Sequence, residues 1–442
     1  MRLRITALML MGLSITACKK DLDTQLPSVS IIAPGSNATL QIPVSFVVKA
    51  NVSDETRLEW ISVQVVTPGG QSKASSSIPV TGNSTTGQTV ITVDDPYIET
   101  GTYYVRVTAF DGTNEKSSSV PITLLQTPLS TEEVYVLTKN GSQTKFSSLT
   151  GTSFTDFFTI PCDRKMSAIN PRNKHLAIVP NSGDARVFEL LFGNQHYDLS
   201  EFNSFVVPYF QFLNYDRNSG LLWVGMANGK TFGIQSNGQT VYNLQAATNR
   251  VARAISAEDN FVFQYEYNPI ASTHHFSYYY KTSGLLKYSQ PLGYAVSQVF
   301  ETGNNEVLLF AESGGNTHVL HFDRIQEIVD ADIDLGSMDL QKVISVDDDL
   351  FILAHSNGIH LYQYSTNTLG QIINGIQVYD MDFDPVNDKI YIPQGNTLNA
   401  INTLQAISFR ILRQVIVFML CICCLTVNGN NFCSNVAYSF VP

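Results

Sequence analysis

Three aspartates near residue 380 are the first residues whose spacing predicts chemistry. In the segment 379–385 (YDMDFDP) the residues alternate, so that on a β-strand Asp380, Asp382 and Asp384 share one face. Three carboxylates on one face repel one another unless a cation or hydrogen-bond donors compensate them. A hard cation such as calcium is one form of compensation, and solvation in a wet channel with an Asp-Pro turn is the alternative. The alternation therefore predicts channel-lining carboxylates, and we assign no metal site to them.

Aromatic residues form a second cluster, between residues 261 and 280. They alternate along two successive segments, as Phe261, Phe263, Tyr265 and Tyr267 and then as Phe276, Tyr278 and Tyr280. Rings with polar tips suit stacking on sugar rings, and they equally suit packing between neighbouring sheets. The pattern predicts that Tyr265, Tyr267, Tyr278 and Tyr280 are candidate ligand-binding residues, with packing as the alternative.

Familiar catalytic patterns are missing from the sequence. It contains no H-E-x-x-H, no G-x-S-x-G and no G-x-x-x-x-G-K. His318 and His321 are three residues apart in a strand-like segment, so they point to opposite faces and are poorly placed to share a metal ion. We therefore predict no catalytic residue and no cofactor.

A repeat in the C-terminal two thirds must position these residues. A polar turn followed by a short apolar run recurs, marked by Val134, Leu176, Leu221, Phe261, Val307, Leu350 and Ile390. The spacings are 42, 45, 40, 46, 43 and 40 residues. A period of about 40–45 residues with several strands per unit is typical of β-propeller blades. Residues 130–405 are therefore predicted to form a roughly seven-bladed β-propeller, in which segment 379–384 is the innermost strand of the last blade.

The short segment 322–328 (FDRIQEI) is the best helical candidate within this region. A β-helix or several sandwiches could also produce a repeat of hairpins. The stretch resembles WD-like propellers in its period only, because their Gly-His and Trp-Asp signatures are absent.

The preceding region has a different pattern. Residues 29–126 alternate strand-like segments with turn clusters, over a length typical of an antiparallel sandwich. The segment 101–112 (GTYYVRVTAFDG) resembles the penultimate strand of bacterial immunoglobulin-like and PKD-like modules, and Trp60 is a candidate core aromatic. Segment 126–133 is predicted to be a linker. The predicted fold class is all-β, an immunoglobulin-like β-sandwich followed by the propeller, and the resemblance implies a spacer or adhesion module.

The N-terminal residues predict where in the cell the protein is located. Residues 1–18 read MRLRITALMLMGLSITAC, with Arg2 and Arg4 followed by an apolar stretch too short to span about 30 Å of hydrocarbon. The small residues before Cys18 resemble the lipobox of bacterial lipoproteins. That resemblance implies that residues 1–17 are a cleaved lipoprotein signal peptide and that Cys18 is lipidated. An ordinary secretory signal with an incidental cysteine is the alternative.

Residues 18–28 follow as a tether. Its beginning, KKDLD, resembles the charged tether of Bacteroidota-type surface lipoproteins. The whole layout resembles PKD-like lipoproteins of that group, many of which accompany outer-membrane nutrient-uptake systems. The resemblance implies an outer-membrane, lipid-anchored protein at the cell surface.

The functional prediction combines this resemblance with the missing catalytic patterns. We expect a non-catalytic cell-envelope lipoprotein whose propeller binds a glycan, peptide or partner protein, as an accessory to nutrient uptake. A propeller glycosidase or lyase and a purely structural assembly partner are the alternatives.

The net charge of the chain excludes one class of partner. The 442 residues carry 27 basic and 38 acidic side chains, a net charge of −11. Such an acidic chain repels phosphate backbones, so we expect no nucleic-acid partner.

The last segment breaks the pattern. Residues 406–442 have no acidic residue and contain Cys421, Cys423, Cys424 and Cys433, four of the six cysteines in the chain. We interpret this segment as an anomalous, hydrophobic, Cys-rich tail of non-native origin, with a buried strand pair in the apolar run 415–425 as the alternative. A propeller needs its chain ends to complete one shared blade. We therefore expect an open or badly closed ring, with pairing of segment 411–418 as the alternative.

Overall fold

Strands and turns make up all of the regular structure that is described. The computed structural model describes residues 23–200, 208–216, 219–258, 260–302, 305–394, 397–402, 423–426 and 436–441. Within these residues there is no helix, so the all-β expectation is confirmed for them. The chain divides into two units, Met1–Thr127 and Pro128–Pro442.

The first unit consists of two sheets that share a core. Its strands are β1 (Ser28–Ala33), β2 (Ala38–Gln41), β3 (Val44–Ser53), β4 (Trp60–Val66), β5 (Ser72–Ile78), β6 (Ser84–Val93), β7 (Gly101–Phe110) and β8 (Glu115–Leu125). One sheet has the order β1-β3-β6 and the other β2-β8-β7-β4-β5, in which β2 pairs with β8 in parallel. The unit is therefore a β-sandwich of three and five strands.

Alternation along these strands explains how the core forms. In β4 the side chains of Ile61, Val63 and Val65 face the other sheet and are buried. Trp60 lies on the opposite side of the alternation, stacks on Phe110 with ring centroids 5.4 Å apart and is 41% exposed. The expectation of a core tryptophan was therefore wrong.

The second unit consists of four-stranded sheets in succession along the chain. Its strands are β9 (Ser130–Asn140), β10 (Gln143–Thr150), β11 (Ser153–Ile160), β12 (Arg164–Asn170), β13 (His175–Pro180), β14 (Ala185–Glu189), β15 (Gln195–Leu199), β16 (Phe210–Tyr215), β17 (Leu222–Met226), β18 (Lys230–Ile234), β19 (Thr240–Gln245), β20 (Val251–Ala257), β21 (Phe261–Asn268), β22 (Thr273–Tyr280), β23 (Leu286–Leu292), β24 (Ala295–Glu301), β25 (Glu306–Ser313), β26 (Asn316–Asp323), β27 (Ile328–Ser337), β28 (Leu340–Ser345), β29 (Leu350–His355), β30 (Gly358–Gln363), β31 (Thr368–Asn374), β32 (Asp382–Asp384), β33 (Lys389–Gln394), β34 (Thr397–Asn402), β35 (Cys423–Thr426) and β36 (Val436–Val441). The first sheet has the order β11-β10-β9-β36, and the second to seventh sheets are β12–β15, β16–β19, β20–β23, β24–β27, β28–β31 and β32–β35.

The repeat read from the sequence corresponds to one strand of each sheet. Its marks lie in β9, β13, β21, β25, β29 and β33, and Leu221 lies one residue before β17. The helical candidate at 322–328 was wrong, because Asp323 and Ile328 pair across a turn between β26 and β27. The strand β9 begins at Ser130, inside the segment predicted to be a linker.

Hydrophobic clusters join each sheet to the next. Successive sheets share buried clusters from the first sheet to the seventh, and one more cluster, with Val134, Val136, Tyr391 and Leu398, joins the seventh sheet to the first. The first strands of neighbouring sheets, from β12 to β28, also contact one another, and β36 contacts both β12 and β32. Sheets packed face to face in a ring with their first strands innermost are the arrangement of a β-propeller.

The ring closes, contrary to the expectation of an open one. Strand β36, from the segment interpreted as an anomalous tail, pairs antiparallel with β9 and supplies the innermost strand of the first sheet. Strand β35 pairs with β34 in the seventh sheet. The other candidate for closure, segment 411–418, lies outside the described residues.

Candidate functional site

Asp384 is the most completely hydrogen-bonded of the three predicted carboxylates. It is fully buried at the end of β32, where both its oxygens accept from Thr131 Oγ1 at 2.9 Å. The backbone N–H groups of Val386 and Asn387 donate to Oδ1 at 3.0 and 3.1 Å, and Asn387 Nδ2 donates to Oδ2 at 2.7 Å. Since Thr131 belongs to β9, this carboxylate ties the seventh sheet to the first.

Asp380 and Asp382 lie beside a lysine from the neighbouring sheet. Lys342 Nζ donates to Asp380 Oδ1 at 2.7 Å. Burial raises the pKa of Asp382 to about 7, although the charge of Lys342 and the Phe383 N–H act in the opposite direction. Burial by itself lowers the pKa of Lys342, but the two aspartates outweigh it and the net shift is upwards.

The three aspartates do not form a cation site. Among the described residues, the group of three whose ligand atoms all lie within 4.8 Å of one another is Asp23, Asp54 and Asp111, in the first unit. Asp384 is directed to Thr131 and Asp380 to Lys342, so the shared face predicted from the sequence is divided between two different partners.

Two of the four candidate tyrosines are core residues. Tyr265 and Tyr278, on β21 and β22, are 4% and 1% exposed and pack against the fifth sheet. The Tyr278 hydroxyl donates to Glu327 at 2.6 Å and accepts from Lys287 at 2.9 Å, and burial raises its pKa to about 12. These contacts are what packing between sheets requires.

The other two tyrosines lie at opposite ends of the same hairpin. Tyr267 pairs with His274 near the end of β21, whereas Tyr280 pairs with Phe261 at its beginning. Six residues of extended strand separate these ends by about 20 Å. The structure therefore does not bring Tyr267 and Tyr280 to one site. The binding role of the four tyrosines stays a prediction.

A feature that the sequence analysis missed lies where the first strands begin. In five successive first strands the pairing register skips one residue, which leaves a bulged residue near the start of β12, β16, β20, β24 and β28. The bulged residues are Lys165, Gln211, Arg253, Ser297 and Gln341. We call the side of the second unit that carries them the upper face, and the side where the first strands end the lower face. A bulge redirects a side chain, and bulges are frequent next to binding sites.

Positive charge gathers on the upper face of this acidic chain. The bulged Lys165 donates to the Phe210 carbonyl at 3.1 Å, and burial, assisted by the charge of Arg253, lowers its pKa. The guanidinium of Arg253 is exposed and lies 4.4 Å from the ring centroid of Tyr267. Arg164 begins the same strand as Lys165, and Lys342, which is paired with Asp380, lies near the start of β28.

Tyrosines precede the first strands on the same face. Tyr209 and Tyr294 come immediately before β16 and β24, and Tyr379 comes three residues before β32 and is 68% exposed. The hydroxyl of Tyr209 accepts a hydrogen bond from Asn228 at 3.0 Å. The upper face thus combines cations, amides and aromatic rings.

A cleft of about 400 Å³ opens on the upper face between the third and fourth sheets. It is lined by the turn after β17, the connection from β19 to β20, and the turn after β21. Its volume lies within the range of roughly 300–1,000 Å³ usual for small-molecule sites.

The lower face carries a pair of carboxyl groups in an ion-pair network. Glu301 is hydrogen-bonded to Glu258, and burial together with the charge of Glu258 raises the pKa of Glu301 well above its usual range. Arg324 donates to Glu258 and to Asn305 through its two terminal nitrogens. Two carboxyl groups joined by a hydrogen bond have oxygens about 2.5–3.0 Å apart, closer than the roughly 5–10 Å between the two carboxylates of glycosidases.

Similarity to known proteins is limited to solved structures. No protein-family model and no curated protein sequence matches the chain. The C-terminal WD40 domain of Sif2 is similar, with 12% identity, a TM-score of 0.49, and coverage of 71% of this chain and 91% of that one. Hydrazine synthase from Kuenenia stuttgartiensis has 11% identity, a TM-score of 0.47, and coverage of 57% and 80%. The Neurospora crassa Pan2 WD40 domain has 10% identity, a TM-score of 0.44, and coverage of 55% and 76%. At these scores the propeller assignment rests on the strand order and the ring of shared cores described above.

None of the described residues forms a helix long and apolar enough to cross a membrane.

Proposed function

We propose that this chain is a non-catalytic binding protein of the cell envelope whose ligand site is the upper face of the second unit. The observation that carries the proposal is the series of five bulged polar residues, from Lys165 to Gln341, on successive first strands. Repetition of one irregularity at the same end of five strands creates a polar surface around the channel mouth, where a ligand can contact several sheets at once.

The architecture proposed for this role is a seven-bladed propeller carried by an immunoglobulin-like module. Seven four-stranded sheets and the shared cluster around Val134 and Tyr391 support the blade number. The three- and five-stranded sheets of the first unit support a sandwich that acts as a spacer.

The envelope location is the part of the proposal that depends on the sequence. Cys18, the predicted lipidation site, lies outside the described residues, as do the signal peptide and residues 19–22 of the tether. The lipobox-like segment before Cys18 supports a lipid anchor in the outer membrane, with the propeller at the cell surface as an accessory to nutrient uptake.

A catalytic role is the second candidate, and the Glu258–Glu301 pair is the observation that favours it. A carboxyl group with a raised pKa beside a second carboxyl group is a common acid–base arrangement. The pair is nevertheless hydrogen-bonded to itself and tied to Arg324, which leaves no room for a water or a glycosidic bond between the two groups. We therefore favour binding over hydrolysis.

The test measures binding of the purified protein to three defined classes of immobilised probe by biolayer interferometry. The classes are neutral hexasaccharides, uronic-acid hexasaccharides and random-sequence decapeptides. We expect retention of one class, with at least tenfold weaker affinity in the double variant Lys165→Ala/Arg253→Ala, because both charges lie on the upper face.

The control removes the same charge from the first unit. Arg57 is an exposed residue and Lys116 is another, so Arg57→Ala/Lys116→Ala should leave the affinity unchanged. Equal loss in both double variants, retention of no probe class, or release of hydrolysis products from a retained probe would overturn the proposal.

A further inference from the structure

The cleft between the third and fourth sheets has several neutral polar side chains in its lining. Its walls include three side-chain amides and one hydroxyl, from Asn228, Gln245, Asn249 and Thr248. All four side chains are exposed. No carboxylate lines the cleft. The single charged residue in the lining is Arg250.

The Arg250 side chain is held by contacts on the side of the cleft that faces the protein interior. Its Nη1 donates to Ser289 at 2.9 Å and lies 3.6 Å from Oε2 of Glu266. Glu266 is fully buried between the sheets and accepts a hydrogen bond from Tyr279. The buried carboxyl group draws the guanidinium towards the protein interior, so the cleft offers neutral polar groups and little free charge. Two of its amides are held in place, because Asn228 Nδ2 donates to Tyr209 and Gln245 Nε2 donates to the Asn228 carbonyl.

Backbone contacts fix the shape of the cleft. The Ala246 N–H donates to the Gly229 carbonyl at 2.9 Å, and the Arg250 N–H donates to the Ala247 carbonyl at 3.0 Å. Gly229 has a φ of +80°, and a Cβ there would lie 2.7 Å from the Arg250 carbonyl oxygen and 2.9 Å from Gln245 Nε2. The absence of a side chain at Gly229 therefore lets the turn after β17 approach the floor of the cleft closely. A site held in shape in this way loses little entropy when a ligand binds.

One wall of the cleft is apolar. Pro269 and Ile270 belong to the turn after β21, and the Ile270 side chain is 76% exposed. The turn is itself fixed, because Asn268 Oδ1 accepts from the N–H groups of Ile270 and Ala271 at 3.0 and 3.1 Å. The cleft thus has both an apolar wall and polar side chains in its lining.

From this chemistry we infer that the cleft binds a neutral oligosaccharide, an inference that rests on the proposed binding function of the upper face. Vicinal sugar hydroxyls are donors and acceptors at adjacent carbons, and a side-chain amide presents one acceptor beside two donors. The C–H face of a sugar ring suits the wall formed by Pro269 and Ile270. An anionic ligand would find a single arginine, already attracted to Glu266.

A peptide fits the same lining poorly. Peptide recognition by strand addition needs a row of unpaired backbone groups along one strand. The polar groups of the cleft are instead side chains from separate segments, the turn after β17 and the connection from β19 to β20. Such an arrangement surrounds a compact ligand and does not align with an extended one.

The test titrates four neutral hexasaccharides, made of α-1,4-glucose, β-1,4-glucose, β-1,4-mannose and β-1,4-xylose units, into the full chain by isothermal calorimetry. We expect saturable binding of at least one of them. Two variants remove amides from the cleft, Asn249→Gly and Gln245→Ala, and the second also removes hydrogen bonds of 3.3 Å to the Asn228 and Ala246 carbonyls. Glycine suits position 249 because Asn249 has a φ of +62°. Each variant should weaken the affinity at least tenfold.

The controls repeat both changes elsewhere. Gln371→Ala removes an exposed amide from an outer strand of the sixth sheet, and Asn37→Gly removes one at a φ of +63° in the first unit. Both should bind the hexasaccharide like the unsubstituted protein.

Each other outcome has a definite meaning. Undiminished binding by both cleft variants would overturn the placement in the cleft while leaving the upper-face function intact. Retention of uronic-acid or peptide probes with no binding of the neutral hexasaccharides would overturn the ligand class alone. If no probe of any class binds, both this inference and the proposed function fail.

Discussion

The upper and lower faces of the second unit come from the same repeat but differ in how their polar groups are used. On the lower face, polar side chains mostly satisfy one another, as Arg324 does with Glu258 and Asn305 and as Asp384 does with Thr131. On the upper face, bulges place Lys165 and Arg253 where the strand pairing does not need them. The comparison indicates that polar contacts on the lower face contribute stability, whereas the bulged residues of the upper face lie outside the strand pairing, which is why we propose that face for binding.

The largest expected effect is on the lower face, at Asp384. Replacing it with alanine removes a buried carboxylate that accepts from Thr131, Val386 and Asn387, and leaves those donors unpaired. We expect the free energy of unfolding of the second unit to fall by about 4 kcal/mol. Urea denaturation in the Trp60→Phe background measures it, because buried Trp223 is then the single tryptophan. A loss below about 1 kcal/mol would show that closure of the ring does not depend on this carboxylate.

Two arginines test the contrast between the faces directly. Arg324→Ala leaves the half-buried Glu258 without its ion-pair partner, so we expect a loss of about 2–3 kcal/mol. Arg253→Ala removes a cation–π contact with Tyr267 at an exposed position, so we expect a loss below about 1 kcal/mol. The same urea titration compares both variants, and equal losses would break the distinction between the faces.

A pH dependence follows from Asp382, which lies between the faces on the short strand β32. Its pKa is raised to about 7 in the folded chain, whereas an unfolded aspartate titrates near about 3.9. The folded state therefore holds this proton more tightly, and the stability contribution present at low pH is lost as the pH rises through about 7.

Replacing Asp382 with asparagine should flatten this slope. We expect the unsubstituted chain to lose about 2 kcal/mol more than the variant between pH 4.5 and pH 8, since half-burial reduces the full effect of such a shift. Urea midpoints across that range give the result. Parallel curves would mean that Asp382 is ionised throughout.

Two glycines separate the effect of backbone strain from the effect on binding. Gly229, in the turn after β17 beside the cleft, and Gly238, in the turn between β18 and β19 on the lower face, have similar φ values of +80° and +85°. Alanine at position 238 should cost about 1–2 kcal/mol, because positive φ strains a residue with a Cβ. Alanine at position 229 should cost more, because its Cβ would also lie 2.7 Å from the Arg250 carbonyl oxygen. Only Gly229→Ala should also weaken hexasaccharide binding, by at least tenfold in calorimetry. Equal affinities in the two variants would show that the hexasaccharide does not bind in the cleft.

Sequence reasoning predicted the repeat because apolar runs recur at the second strand of each sheet, as at Leu176 and Leu350. It misplaced Trp60 because alternation identifies two faces but does not say which one is buried. It misread 322–328 as a helix because a single residue, Glu327 at a φ of +57°, turns that segment into a hairpin.

The upper face could not be predicted for a related physical reason. A bulge is a property of how two strands pair, and the residues Gln211 and Ser297 look like any other polar positions within their own strands. Asp384 likewise accepts a hydrogen bond from Thr131, which lies some 250 residues away in the chain. Closure of the ring brings these two residues together. Long-range pairing of this kind leaves no local pattern.

Closure by β36 has a consequence for the order of events during synthesis. Strand β9 emerges about 300 residues before its inner partner, which at roughly 5–20 residues per second means a delay of about 15–60 s. During that interval the inner edge of β9 is available to any other strand. Its sequence STEEVYVLTKN carries Glu132, Glu133 and Lys139, and charges of this kind discourage edge-to-edge association. The charged residues of β9 therefore protect its exposed inner edge against aggregation until β36 has been synthesised.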